Sequence, residues 1–147
     1  MKVILLFMQI QFSNQTKLRV RYAETDQMGY CYYGNYAQYF EVGRVEAMRS
    51  LGMSYRELEE AGIMLPVIDF SVKYYVPATY DEELTVTTTI EKLQGAKLSF
   101  SYQINNEQGQ LVVTAMTTLV FVRSETKRPT KAPENFLKLI NQYIDGK

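Results

Sequence analysis

The chain has 147 residues, 46% of them hydrophobic and 22% charged, and its 16 basic and 16 acidic side chains cancel. That is the size and balance of one globular domain able to bury a core without disulfides or metal, with no basic excess to suggest nucleic acid or an anionic membrane as partner. One cysteine, Cys31, excludes a disulfide within the chain and fits a reducing cytoplasm, and the absence of histidine excludes Ser-His-Asp and Cys-His catalysis and histidine-held zinc.

Acid–base chemistry therefore falls to carboxylates, Tyr, Lys, Cys or water, and neither metal nor cofactor is expected. The first 12 residues carry Lys2 and an apolar run from Val3 to Met8. The run is short for a signal core, no small-residue cleavage site follows it, and it cannot span a bilayer. We read residues 1–15 as an extension or an overlong start, with Met8 as initiator, and residues 16–147 as a single domain.

Residues 16–22 alternate Leu18, Val20 and Tyr22 against Lys17, Arg19 and Arg21, the period-2 pattern of a half-buried strand. A loop with Asp26 and Gly29 leads into a helix over residues 35–51, whose apolar face carries Tyr36, Tyr39, Phe40, Gly43, Ala47 and Leu51. Asn35 suits its N-cap, with Gln38 as reciprocal partner, and Gly52 its stop. The small Gly43 and Ala47 would let it lie close to a sheet. Ser54 and Glu57 form a capping box for a short helix over 54–61, ended by Gly62.

Strand patterns follow at 66–76, 83–93, 97–105 and 111–123, with a hairpin turn at 106–109 that places Gly109 at positive φ, and a closing helix at 133–144. The order is strand, long helix, four strands in meander. One long helix and about five strands pack as an α+β unit, either a curved antiparallel sheet wrapped around the helix or a flat sandwich. Periodicity fits both.

The segment from Val20 to Tyr36 carries the chemistry: a strand passes to a loop, and the loop delivers the chain to a helix N-terminus. The first N–H groups of a helix have no partner inside it and, with the dipole, favour negative charge. Such a place can stabilise the oxyanion of acyl transfer, and Asp26 stands a few residues upstream. The spacing also fits an aspartate that only bonds its own turn, and tyrosines that only pack.

The run Asp26-x-x-Gly29 with Tyr32-Tyr33-Gly34-Asn35-Tyr36, then Tyr39-Phe40-Glu41 and Arg44, resembles the signature of the 4-hydroxybenzoyl-CoA thioesterase family. Lys73 to Ala78 with Asp81 and Leu84 is similar to that family's second strand and Pro-Ala turn, Gly109 to Val122 to its last long strand, and Lys127-Arg128-Pro129 to its tail. The likeness runs from about Lys17 to Pro133. It implies the hotdog fold, a curved sheet around one long helix, and acyl-CoA thioester hydrolysis. It implies Asp26 as catalytic carboxylate and the backbone N–H of Tyr33, with Gly34 more weakly, as oxyanion donors. Many members have histidine where Tyr33 stands; a main-chain donor survives that change, while any imidazole role does not.

For the substrate, the resemblance implies Lys97 near the nucleotide, and the chain adds Lys73 more weakly and Tyr32 and Tyr36 as walls. Glu41 and Arg44, three apart on the helix, read as a surface ion pair, while the resemblance, which has a similar acid–base pair here, also allows a structural or pocket-edge role; Cys31 reads as a small buried residue. One helix cannot cover every edge of such a sheet, so a homodimer joined edge to edge is expected, and the resemblance adds a homotetramer and sites at the subunit interface. The thiol partner is coenzyme A or an acyl carrier protein. Two other readings stand beside hydrolysis: a non-catalytic acyl-CoA or carrier-binding protein, and a hydratase or dehydratase, which in such folds pairs Asp with the missing His.

Overall fold

The computed structural model describes residues 7–144. The first six residues, and with them most of the apolar N-terminal run, lie outside the described residues.

The elements are β1 (Phe7–Arg19), α1 (Tyr36–Leu51), α2 (Tyr55–Glu60), β2 (Ile63–Met64), β3 (Val67–Tyr74), β4 (Glu83–Gln94), β5 (Lys97–Asn105), β6 (Leu111–Val120), β7 (Val122–Arg123) and α3 (Glu134–Ile140). Single 3₁₀ turns at Tyr22–Glu24 and Tyr33–Asn35 fill the loop between β1 and α1. Five strands form one antiparallel sheet in the order β1-β4-β5-β6-β3, and β2 pairs separately with β7. The expected four-strand meander is therefore only three strands long. β3 does not pair with β4; it crosses to the far side and pairs with β6, Val72 opposite Ala115. The Pro77-Ala78 break after β3 lets the chain leave that edge.

One face of the sheet is apolar and packs on α1. Along β4, Leu84, Val86, Thr88 and Ile90 are buried in strict alternation, and after Ile90 the pattern slips by one to Leu93. The slip matches a bulge: the β4–β5 register shifts between Ile90 and Lys92, and the β1–β4 register shifts between Gln9 and Phe12 opposite the same stretch. Bulges bend strands and deepen twist, which curves the sheet around the helix. This is the wrapped arrangement, not the flat sandwich.

α1 meets β4 at Gly43. A Cβ there would run into Thr88 Oγ1 and come within 2.9 Å of Val86 Cγ1, so only glycine allows this closeness. Gly52 ends the helix at φ +117°, and Ser54 caps α2 with the expected reciprocal bonds to Glu57. Asn35 does not cap α1. Its backbone is already helical, because the turn begins at Tyr33, and its side chain is drawn elsewhere. The core gathers Phe40, Met48, Phe100, Ile104, Leu119, Phe121 and Phe136, each sealed from solvent.

The two edges differ. β1 covers one side, and β3 forms the other with every residue but Val72 exposed, Ile68, Phe70 and Tyr74 among them.

Candidate active site

The loop after β1 is built around one glutamate. Glu24 is 6% exposed. Its carboxylate accepts from the Arg21 N–H at 2.9 Å, from Arg21 Nε at 2.8 Å and from the Tyr39 hydroxyl at 2.7 Å. Its carbonyl oxygen accepts from the Tyr32 N–H and from Asn35 Nδ2, both at 2.8 Å. Burial pushes the Glu24 carboxyl up, but the Arg21 backbone and guanidinium and the Tyr39 hydroxyl outweigh it and hold it below its usual range. One residue thus ties the end of β1, the turn at Tyr32 and Tyr33 and the first turn of α1 into a unit. Sequence reading passed over it; the signal was Arg21 and Glu24 three apart at a helical turn, next to the polar stretch that includes Asp26.

Asp26 stands two residues on, half-buried. Its N–H donates to Tyr30 O, and the Gly29 N–H donates to Asp26 O, each at 2.9 Å, with Gly29 at φ +80°. Oδ1 accepts from the N–H of Met28 at 2.9 Å and more loosely from that of Tyr30 at 3.3 Å. Oδ2 has no hydrogen-bond partner among the described residues. The turn-forming reading therefore holds for one oxygen and leaves the other open. The loop is pinned from below, where the Cys31 N–H donates to Ala78 O at 2.7 Å.

The chain then turns into helix at Tyr33. Tyr33 and Gly34 are the first two residues of that turn, so neither N–H has an acceptor within it. Asp26 and Tyr33 line one cleft of about 360 Å³ with Met28, Tyr36, Tyr74 and Pro77. Tyr74, whose place in a strand pattern gives no sign of a site role, borders the cleft: its ring meets Tyr36 at 5.6 Å and Tyr33 at 6.3 Å, and its hydroxyl donates to Tyr33 O.

The other expected site residues are dispersed. Tyr36 lines the cleft, while Tyr32 lies outside it, its ring tilted at 42° against that of Tyr33. Lys73 points to the outer face of the sheet, among Ser71, Thr87 and Met116, away from α1. Lys97 pairs with Val120 at the end of the sheet opposite Tyr74, which pairs with Val113. Seven residues of strand separate those levels, about 23 Å. Cys31 is buried, and burial pushes its thiol up, so it rests protonated. The ion pair expected between Glu41 and Arg44 does not form. Arg44 is buried, and its Nη1 donates to the Tyr102 hydroxyl at 3.1 Å, because the curved sheet brings Tyr102 under this side of α1.

The profile of the Thioesterase-like superfamily matches residues 20–140. The chain is 37% identical over 123 residues, 84% of its length and 89% of the relative's, to a Bacillus subtilis (strain 168) protein named "Putative acyl-CoA thioesterase YneP". It superposes on the crystal structure of DHNA-CoA thioesterase from Staphylococcus aureus with TM-score 0.86 and 35% identity, covering 89% of this chain and 90% of that one. It also superposes on a 4-hydroxybenzoyl CoA thioesterase structure with TM-score 0.79 over 87% of this chain and 98% of that one; at 21% identity this likeness speaks for the fold alone. The fold, the cleft at the mouth of α1 and these matches agree: the chain belongs to the Thioesterase-like superfamily and has the hotdog fold.

Proposed function

We propose that this chain hydrolyses the thioester of an acyl-CoA to free acid and coenzyme A, with Asp26 acting on the thioester carbon and the Tyr33 N–H, aided by that of Gly34, holding the carbonyl oxygen. The observation that carries the residue assignment is the shared cleft: Asp26 and the opening turn at Tyr33 face the same space. A carbonyl oxygen placed against amides that have no partner gains stabilisation as its charge grows, and the helix dipole adds to it.

Two routes use these parts. In one, Asp26 takes a proton from water, the water oxygen bonds to the carbonyl carbon, and the C–S bond breaks as the tetrahedral oxyanion collapses; the proton ends on the departing thiolate. In the other, Asp26 itself bonds to the carbon, the thiolate leaves, and water then cleaves the mixed anhydride. The buried Tyr36 and Tyr39 hydroxyls stay neutral, since burial pushes both well up.

Coenzyme A brings phosphates, and the chain's net charge is zero, so local cations must meet them. We assign this to Lys97 of a second copy. β3 is an exposed antiparallel edge. Twofold pairing through β3 sets the Tyr74 end of one chain beside the Val67 end of the other, the end where Lys97 lies. Three strand spacings, about 14 Å, then separate Lys97 of the second copy from the first chain's β3. The functional unit is a homodimer or a pair of dimers with sites shared across the twofold. No described helix is long and apolar enough to cross a membrane. We place the enzyme in the cytoplasm, which the single buried Cys31 fits.

Thiol release from a panel of acyl-CoAs, followed with a thiol reagent, tests the activity. Steady release well above the uncatalysed rate is expected; tight binding with no thiol released would instead make this an acyl-CoA binding protein.

A further inference from the structure

Arg44 has no role in the site just described, and its setting calls for one. It is 7% exposed, yet no carboxylate among the described residues lies within salt-bridge distance of it. Nη1 donates to the Tyr102 hydroxyl, which in turn shares a 2.6 Å bond with Thr117. The Tyr55 hydroxyl also faces the guanidinium, but neither it nor the buried Nε completes a well-formed hydrogen bond. A buried guanidinium without a counter-charge is costly, so it is expected to meet an acceptor in the working state.

Arg44 borders a cleft of about 340 Å³ between α1 and the edge strand β3. The other walls are apolar on one side, with Ala37, Phe40, Val67 and Phe70, and polar on the other, with Gln38, Thr117 and Glu41, whose carboxylate lies beyond salt-bridge distance of the arginine. This cleft lies in line with the Asp26 cleft. Two aromatic rungs cross from α1 to β3 between them, Tyr36 on Tyr74 at 5.6 Å and Phe40 on Phe70 at 6.0 Å. Phe70 and Tyr74 are 43% and 46% exposed, so a ligand lying across the rungs at the surface would join the two separate clefts into one groove. From Tyr36 to Arg44 is eight residues of helix, about 12 Å.

We infer that this groove receives the acyl group of the substrate and that Arg44, at its far end, binds an oxygen on that group distal to the thioester. The inference rests on the thioesterase reading and narrows it to acyl-CoAs with a hydroxyl, oxo or carboxylate oxygen far from the reacting carbonyl, on a chain or a fused ring. An apolar trough ending in a donor favours such a group over a plain alkyl chain, whose methyl end would strand the guanidinium. Pairing of β3 edges would roof the groove with the partner's inner face and shut out the water that could otherwise serve Arg44.

The test compares size-matched CoA thioesters on the intact wild-type enzyme: 8-hydroxyoctanoyl- against nonanoyl-CoA, and 6-hydroxy-2-naphthoyl- against 6-methyl-2-naphthoyl-CoA. At least one oxygenated member should be favoured tenfold or more in kcat/KM, and the pair that responds tells chain from ring. Arg44→Met, close in volume, should bring that preference below threefold mainly by slowing the oxygenated substrate, while Arg44→Lys should keep part of it. If Arg44→Met does not fold, the wild-type comparison decides alone. Equal rates on both members of both pairs would overturn the inference while leaving the thioesterase reading intact; no hydrolysis of any thioester would fail that reading instead. Arg44→Met that slows every substrate alike and splits the dimer would also overturn it, by showing that a carboxylate such as Glu41 from a second copy is the missing partner.

Discussion

Asp26 is held by its own turn through Oδ1 while Oδ2 is left open, so backbone N–H groups fix the carboxylate that we propose acts on the thioester. Tyr33 acts in this account through its main chain. Tyr33→Phe should therefore keep kcat within about threefold, the usual reach of a surface side chain that makes no bond in the transition state. A fall of a hundredfold would move the role to the phenol. Glu24 gives a pH signature. Its folded carboxyl sits below its ordinary value, so its stabilisation is complete above the unfolded value of about 4.3 and is lost as pH falls through the folded one. Wild type should lose stability in that acid window more steeply than Glu24→Gln, which has no carboxyl to protonate; thermal melts between pH 3 and 6 check it. At this scale the sequence was partly legible. The capping rule fitted Asn35, but the Glu24 carbonyl, eleven residues back, claimed its amide. The three-residue spacing fitted an ion pair for Glu41 and Arg44, but spacing says nothing of a hydroxyl rising from the sheet below.

Among the elements, α1 depends on its approach to β4. Gly43→Ala adds helix propensity worth about 1 kcal/mol, yet its methyl group must displace Thr88 and Val86. We expect net destabilisation of about 1–3 kcal/mol, read from the urea midpoint at constant m-value, since overpacking a tight contact costs more than propensity returns. A more stable variant would mean that the helix can lift from the sheet freely. The small residues on the apolar face announced this contact in the sequence. So did the strand alternations, the capping box at Ser54 and the positive φ of Gly109, because each follows from a local pattern. The place of β3 did not. Which edge a strand joins depends on long-range pairing with β6, and nothing within residues 66–76 records it.

For the whole molecule, the proposed dimer makes each site a joint product of Asp26 from one chain and Lys97 from the other. Mixing Asp26→Asn with Lys97→Ala and allowing subunits to exchange should restore activity. Half the dimers would be mixed, each with one intact site, giving about a quarter of wild-type sites in a twofold dimer. Activity that stays at the level of the two variants would place both residues in one chain's site, or remove Lys97 from it. The sequence pointed to an exposed edge through strand count alone; the structure adds which edge, and that Lys97 lies at the end of the sheet opposite the Asp26 cleft in a single chain.

We propose that the Asp26 carboxylate acts on a thioester held at the mouth of α1. Steady-state thiol release by Asp26→Asn on the best acyl-CoA, beside wild type of matched fold, puts this to the test. We predict kcat lower by at least about 10²–10⁴ with KM little changed, the loss typical of a removed base or nucleophile. Turnover within tenfold of wild type would contradict it.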